Sequence, residues 1–236
     1  MKKIAIMQPY FFPYIGYFQL LNAVDEFIIY DNIKYTKRGW INRNRILVNG
    51  KVDYFSIPLK KDSDYLNIVN RELSNEWQKE KTKILNRIKE NYQKTPFFCD
   101  VFPLIERCFN CKEINLFEFL LFSIQEIMEY LSIETEIVVS STIATNHNLK
   151  SEDKVIAICK ELQAKYYYNP IGGLELYSKK TFENNSINLR FLKTNNYTYM
   201  QFGDEFEPFL SIIDVMMFHS KEALTMILNN EFILIA

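Results

Sequence analysis

The stretch KIAIMQPYFFPYIGYFQLLNAVDEFIIY, residues 3–30, decides the fold. Lys3–Met7 is a short apolar run with the length of a fully buried strand, and Glu26–Tyr30 is a second. Between them, Ile15–Val24 repeats apolar residues at helical spacing. A strand–helix–strand unit this short implies parallel pairing with a right-handed crossover. The link between the first strand and the helix is unusual: Gln8, two prolines, a glycine and the rings of Tyr10, Phe11, Phe12, Tyr14 and Tyr17. A stiff, ring-filled turn at the mouth of a strand is where an α/β sheet builds the floor of a pocket.

Outward from this unit, DNIKYTKRGWINRNR (31–45) is polar and basic. RILVNGKVDYFSIPL (45–59) then sets Asn49-Gly50 between two alternating runs, the strongest short-range hairpin signal. From about Asp64 to Leu131, NEWQKEKTKILNRIKENY, FFCDVFPLIERCF and NLFEFLLFSIQEIMEYL carry apolar residues at helical spacing, punctuated by Pro96 and Pro103. Strand–helix alternation then returns. TEIVVSS reads as a strand and SEDKVIAICKELQA as a helix with Ser151 as its expected N-cap. KYYYN and INLRFLK read as further strands, and PFLSIIDVMMFHSKEALTMIL supplies closing helices. The expectation is a single α/β domain over 1–236: a Rossmann-like, mostly parallel sheet with a small β-hairpin and a helical insert at about 64–132.

Lysine and arginine number 28 against 29 acidic residues in 236, so no global field draws the chain toward nucleic acid or a membrane. The apolar run Ile4–Met7 is too short for a signal peptide and is broken by Gln8, Pro9 and Pro13. No window approaches the roughly twenty apolar residues of a membrane span, so no membrane insertion and a cytoplasmic location are expected. Cys108 and Cys111 have the spacing of half a zinc site. The only histidines, His147 and His219, are isolated, however, and both cysteines follow a helical apolar pattern. They read as buried thiols, and no metal site is expected. The 19 Phe and 15 Tyr leave two readings open: ring faces for sugars or nucleotides, or a core rich in aromatics.

Four irregular segments follow expected strands, and parallel strands gather such loops along one edge, where α/β sheets bind ligands. In the first, Phe11, Phe12 and Phe18 belong to the core, while Gln8, Tyr14 and Tyr17 can be core or pocket wall. Gly16 lets the helix backbone approach a ligand or the neighbouring strand, and the helix N-terminus favours an anion. In the second, Lys34, Lys37, Arg38, Arg43 and Arg45 crowd together with Tyr35, Trp40, Asn42 and Asn44. Such a mixture suits phosphates attached to a ring, although a solvated charged loop is the common alternative. The third offers Ser141 and His147, the latter a candidate proton carrier near neutral pH or a solvent-facing side chain. The fourth offers Asn169, Gly172, Gly173 and Tyr177, with the paired glycines as a backbone cradle for phosphate.

These residues carry a resemblance. MQPYFFPYIGYF, Asp31 followed from Lys34 by KYTKRGWINRNRI, and NPIGGLELY resemble the hallmark stretches of the WbqC-like family. The likeness runs from Lys3 to FLSIIDVMMF, nearly the whole chain. It implies a place in bacterial clusters for O-antigen and other surface polysaccharides, and a fitting role is attaching an amino acid such as glycine to the amine of an amino-deoxy sugar. Tyr14-Ile15-Gly16-Tyr17 is also similar in position to the His-x-Gly-His of the nucleotidylyltransferase superfamily. The pantothenate synthetases of that superfamily activate a carboxylic acid with ATP and pass it to an amine. Tyrosines replace both histidines here, and a phenol stabilises phosphate charge less well than an imidazolium. The superfamily's later Lys-x-Ser-type motif has no clear counterpart beyond LYSKK around Ser178.

The resulting expectation is an enzyme that N-acylates the amine of a nucleotide-linked amino-deoxy sugar. The acyl donor would be an amino acid activated by ATP with Mg2+, or a charged tRNA or carrier; nucleic acid enters only as that aminoacyl-tRNA. Asp31 or His147 would accept the amine proton. Tyr14 and Tyr17 would line the reacting pocket, Gln8 would orient substrate, and Arg38, Arg43 and Arg45 would hold phosphates. The rivals are a nucleotidylyltransferase that releases pyrophosphate and a non-catalytic protein that binds a sugar-nucleotide.

Overall fold

The computed structural model describes residues 1–202 and 205–236. Along the chain run β1 (Lys3–Met7), α1 (Ile15–Asn22), β2 (Glu26–Ile29) and the hairpin β3 (Arg43–Val48) and β4 (Lys51–Ser56). Helices α2 (Trp77–Tyr92), α3 (Phe98–Phe109) and α4 (Leu116–Leu131) follow, then β5 (Glu136–Val139), α5 (Ser151–Glu161), β6 (Tyr166–Pro170), α6 (Lys179–Asn184) and β7 (Asn188–Thr194). The chain closes with α7 (Ile212–Phe218), α8 (Lys221–Asn230) and β8 (Phe232–Ile235).

Six strands form one sheet in the order β5-β2-β1-β6-β7-β8, parallel through β7 and antiparallel at β8. Counted along the chain, these six strands read 3-2-1-4-5-6, the order of dinucleotide-binding folds, and the direction of winding reverses between β1 and β6. β1 is central, with Ile4 paired to Glu26 on one side and Tyr167 on the other. Coverage on both faces explains why Ile4–Ile6 and Phe27–Ile29 are continuous apolar runs rather than alternating ones. One face packs through Ile6, Ile158, Tyr167 and Phe182. The other carries the larger core with α2, α3, α4 and α7.

The ring-rich turn after β1 is the hub of that larger core. The Phe11 ring lies 5.1 to 6.4 Å from Phe12, Phe55, Trp77, Phe109 and Phe119, joining the hairpin to all three inserted helices. Phe11, Phe12 and Phe18 are fully buried, as their assignment to the core requires. The Asn49-Gly50 turn closes β3–β4 with both residues at positive φ, 51° and 72°.

Several local expectations are corrected. Pro103 lies inside α3 rather than punctuating it: it is exposed, and the Cys99 carbonyl it leaves without an N–H partner is on an exposed residue that water reaches. Ser151 is not the N-cap of α5; Lys150 holds that position without a side-chain cap, and Ser151 opens the helix at φ 47°. Cys111 is half-buried rather than buried, while burial pushes the Cys159 thiol up to about 12. β8 had no separate signal, because a four-residue apolar tail becomes a strand only by pairing with β7. Among the described residues, no helix is long and apolar enough to cross a membrane.

Candidate functional site

The carboxyl edge of the sheet gathers the loops after β1, β2, β5 and β6, and side-chain hydrogen bonds brace each of them. After β1, Asn44 Nδ2 donates to the carbonyls of Phe11 (3.0 Å) and Phe12 (2.6 Å), and Ser211 Oγ donates to Phe12 (2.8 Å). Tyr17 is 2% exposed and donates to the Gln8 carbonyl at 3.1 Å, so it braces the turn from beneath. Tyr14 precedes α1 without capping it, and its ring folds over Gly16. A Cβ on Gly16 would lie 2.4 Å from that ring, so the glycine makes room for Tyr14 rather than for a neighbouring strand. Burial raises the pKa of Tyr10, Tyr14 and Tyr17, which keeps all three phenols protonated at neutral pH.

Tyr10, Tyr14, Trp40, Arg45 and Phe209 surround a cavity of about 300 Å³ at this mouth. The basic segment forms one side of it. Arg43 donates to the carbonyls of Gly39 and Arg38, and Arg45 to those of Phe209 and Pro208. Both guanidiniums lie within 6.0 Å of the Trp40 ring, which is 37% exposed and parallel to Tyr54. Asn42 ties Tyr35 to the Ile57 carbonyl. Arg43 and Arg45 are thus built into the scaffold, whereas Lys34, Lys37 and Arg38 are exposed. Lys37 pairs with Asp64 at 2.6 Å and Lys34 sits over the Tyr65 ring. Gln8 is half-buried beside this mouth.

Asp31 and His147 meet in a second cluster. Asp31 is 3% exposed, and its Oδ1 accepts from Ser140 Oγ (2.7 Å) and from the Ser141 backbone N–H (3.0 Å). It therefore staples the loop after β5 to the end of β2. Asn32 Oδ1 accepts from Ser140 Oγ and from Lys154 Nζ (2.9 Å), while its amide meets His147 Nδ1 at 3.0 Å. His147 Nε2 lies 3.0 Å from the Ile143 carbonyl, which makes Nε2 the protonated nitrogen. Lys154 is buried, and desolvation lowers its pKa while Asp31 opposes that shift. Lys154 lies inside a helix rather than in one of the predicted loops, and no spacing in the sequence marks it.

After β6, Tyr167 donates to Asn169, whose amide covers Gly173; a Cβ there would meet it at 1.9 Å. Gly172 is open and exposed. Tyr177 packs edge-on against Tyr167 and Phe182, and Ser178 caps α6. The space above Gly173 is therefore taken by a side chain of the chain itself.

A further cavity, of about 320 Å³, opens between Tyr14 and the segment Thr194–Tyr199. Behind it Asp214, fully buried, accepts from Tyr92 (2.7 Å), Tyr199 (2.5 Å) and Gln201 (2.9 Å), and burial raises its pKa. The alternation of Tyr197 and Tyr199 is its only trace in the sequence. Among the described residues, no three His, Cys, Asp or Glu side chains converge as a metal site would require.

Comparison with known proteins finds a similar relative in an uncharacterized protein of Mycobacterium tuberculosis. It is 27% identical over 227 residues, covering 94% of this chain and 96% of the relative. No solved structure matches. The model of the WbqC-like protein family matches residues 8–226, from the turn after β1 through most of α8. The chain belongs to the WbqC-like protein family.

Proposed function

We propose that this chain is an enzyme of bacterial surface-polysaccharide assembly that forms an amide on the amine of a nucleotide-linked amino-deoxy sugar, transferring a glycyl or other aminoacyl group. Membership of the WbqC-like family suggests a role in polysaccharide biosynthesis. The chemical part rests on the cavity at the mouth of β1, where Tyr10, Tyr14, Trp40 and Phe209 offer ring faces around about 300 Å³. Ring faces suit the apolar side of a pyranose, and phenol tips suit its hydroxyls. Lys34, Lys37 and Arg38, exposed on the segment that carries Trp40, supply charge for a diphosphate. ATP with magnesium is the proposed energy source, with a charged tRNA or carrier as the alternative donor, and the cytoplasm is the proposed location. Phosphates of the nucleotide provide much of a magnesium ion's shell, so the metal needs few protein ligands.

A non-catalytic sugar-nucleotide-binding protein is the second reading, favoured by the internal hydrogen bonds of Asp31 and His147. One experiment separates the two. The purified chain is mixed with nucleotide-linked 3- and 4-amino-deoxy sugars and glycine or N-acetylglycine, with and without ATP and magnesium, and followed by thermal shift and mass spectrometry. An ATP-dependent product heavier by one acyl residue is expected. Stabilisation with no product from any donor would favour the binding protein, and pyrophosphate released without an amine would favour a nucleotidylyltransferase. No thermal shift with any nucleotide would remove the phosphate role of the basic segment.

A further inference from the structure

The cavity at the end of β7 differs chemically from the one beside Trp40. Its lining sets hydroxyls and amides from Thr194–Tyr199 and one carboxylate, Glu207, beside the apolar Ile15, Phe206, Leu210 and Val215, and among the described residues it has no lysine or arginine. Arg45 approaches Glu207 from outside that lining, at 3.9 Å. With no cation in the lining, phosphate finds little there to pair with, whereas the hydroxyls, amides and carboxylate suit a polyhydroxylated ring bearing an amine. Tyr197 lines this cavity, and its Oη lies 2.6 Å from His219 Nε2. His219 Nδ1 lies 2.7 Å from the Val215 carbonyl, which can only accept, so Nδ1 carries the proton and Nε2 accepts from the phenol. A hydroxyl that donates to an imidazole, itself oriented from its far side, is how proteins give a hydroxyl basic character. The imidazole is fixed further by the Tyr199 ring, 4.7 Å away and edge-on, and Tyr199 is bonded to Asp214. The pair is preorganised, and Tyr197 is the member of it that lines the cavity.

We infer that this cavity is the acceptor subsite and that Tyr197 is the catalytic residue that takes the proton from the sugar amine, with His219 as its positioning partner. The inference rests on the amide-forming reading above. The co-reactant is an activated acyl ester or acyl phosphate. The amine nitrogen attacks the acyl carbon; the N–C bond forms, and the bond from that carbon to the leaving oxygen breaks with its electron pair. The ammonium proton passes to Tyr197 Oη as the phenol proton passes to His219 Nε2. The imidazolium returns its Nε2 proton to Tyr197 Oη as the phenol gives its own proton to the leaving oxygen. Glu207 attracts the ring while its amine is protonated; that first proton leaves to solvent and frees the lone pair, and the proton passed to Tyr197 is the one released after attack.

The chain has two histidines, so histidine-labelled full-length protein gives two sets of imidazole NMR signals, assigned with His147→Gln. Titration with a nucleotide-linked 4-amino-deoxy sugar is expected to shift the His219 signal, and Tyr197→Phe, with its fold checked by thermal denaturation, is expected to abolish the shift. In the acylation assay, Tyr197→Phe and His219→Gln are expected to lower kcat by roughly 10²-fold or more, as loss of a general base does. KM for the sugar should stay within about threefold, because ground-state binding is retained. Undiminished kcat in Tyr197→Phe would overturn the inference and leave the amide-forming reading standing. A Tyr197-dependent shift of His219 with no acyl product from any donor would support the amine subsite and overturn that reading. A His219 signal unmoved by the sugar would overturn the subsite itself.

Discussion

Phe12 holds φ at 45°, a left-handed backbone that costs a bulky L side chain about 1–2 kcal/mol. Its ring is fully buried, 5.1 Å from Phe11 and 5.5 Å from Phe109, and deleting such a ring costs about 3–5 kcal/mol. Burial outweighs the backbone strain. Phe12→Gly is therefore expected to lose about 1–4 kcal/mol net, although glycine relieves the backbone; urea unfolding measures this, and a stabilised variant would mean that strain dominates. Gly16 presents the opposite balance. A methyl there meets the end of a side chain, the Tyr14 ring, while the helix gains about 1 kcal/mol in propensity. Gly16→Ala should leave stability nearly unchanged and displace Tyr14, lowering affinity for a nucleotide-linked amino sugar by about tenfold. Calorimetry with that ligand is the check, and unaltered affinity would remove Tyr14 from the cavity wall's function.

At the scale of elements, α7 and the strand-like segment after β7 are joined by their polar side chains. His219, the residue that ends α7, is faced by Asp214 from its own helix and by Tyr197 and Tyr199 across the gap. Burial lowers its pKa against the opposing pull of the Val215 carbonyl and Asp214. A histidine with a lowered folded pKa stays neutral in the fold, whereas the unfolded chain binds a proton near 6.5. Its contribution to stability is complete above that value and declines as the pH falls from about 6.5 through the lowered folded pKa. Melting temperature is therefore expected to drop between about pH 7.5 and about pH 5.5, with the slope reduced in His219→Gln. Asp214, whose folded pKa is raised, acts in the opposite sense, with stability falling as the pH rises above about 3.8. An equal slope in both proteins would show that another group governs the response.

Across the whole molecule, the basic segment divides into structural and exposed charges. Arg45 ties β3 to the carbonyls of Pro208 and Phe209 on the far side of the cavity. Lys34, Lys37 and Arg38 are exposed, and an exposed pair such as Lys37–Asp64 contributes little. Replacing Lys34, Lys37 and Arg38 with alanine should leave the melting temperature unchanged and weaken nucleotide binding, with a loss of salt dependence. Arg45→Ala should lower the melting temperature through its lost carbonyl bonds, about 1–3 kcal/mol. Thermal denaturation beside nucleotide titration separates them, and a triple variant that binds normally would end the phosphate assignment. The strand–helix–strand unit over 3–30 and the Asn49-Gly50 hairpin were legible because their signals are local: apolar period, turn residues, and lengths too short for anything but a parallel crossover. The gathering of loops on one edge followed from that parallelism alone. Partnerships were not legible, since Asn32 meets Lys154 across 122 residues and Tyr197 meets His219 across 22. The sequence by itself determined the parallel unit, the hairpin and which loops share an edge. The tertiary structure decided that Arg43 and Arg45 hold backbone while Tyr197 faces a cavity, because the pairing of distant polar groups depends on how whole elements pack, and no local periodicity records that.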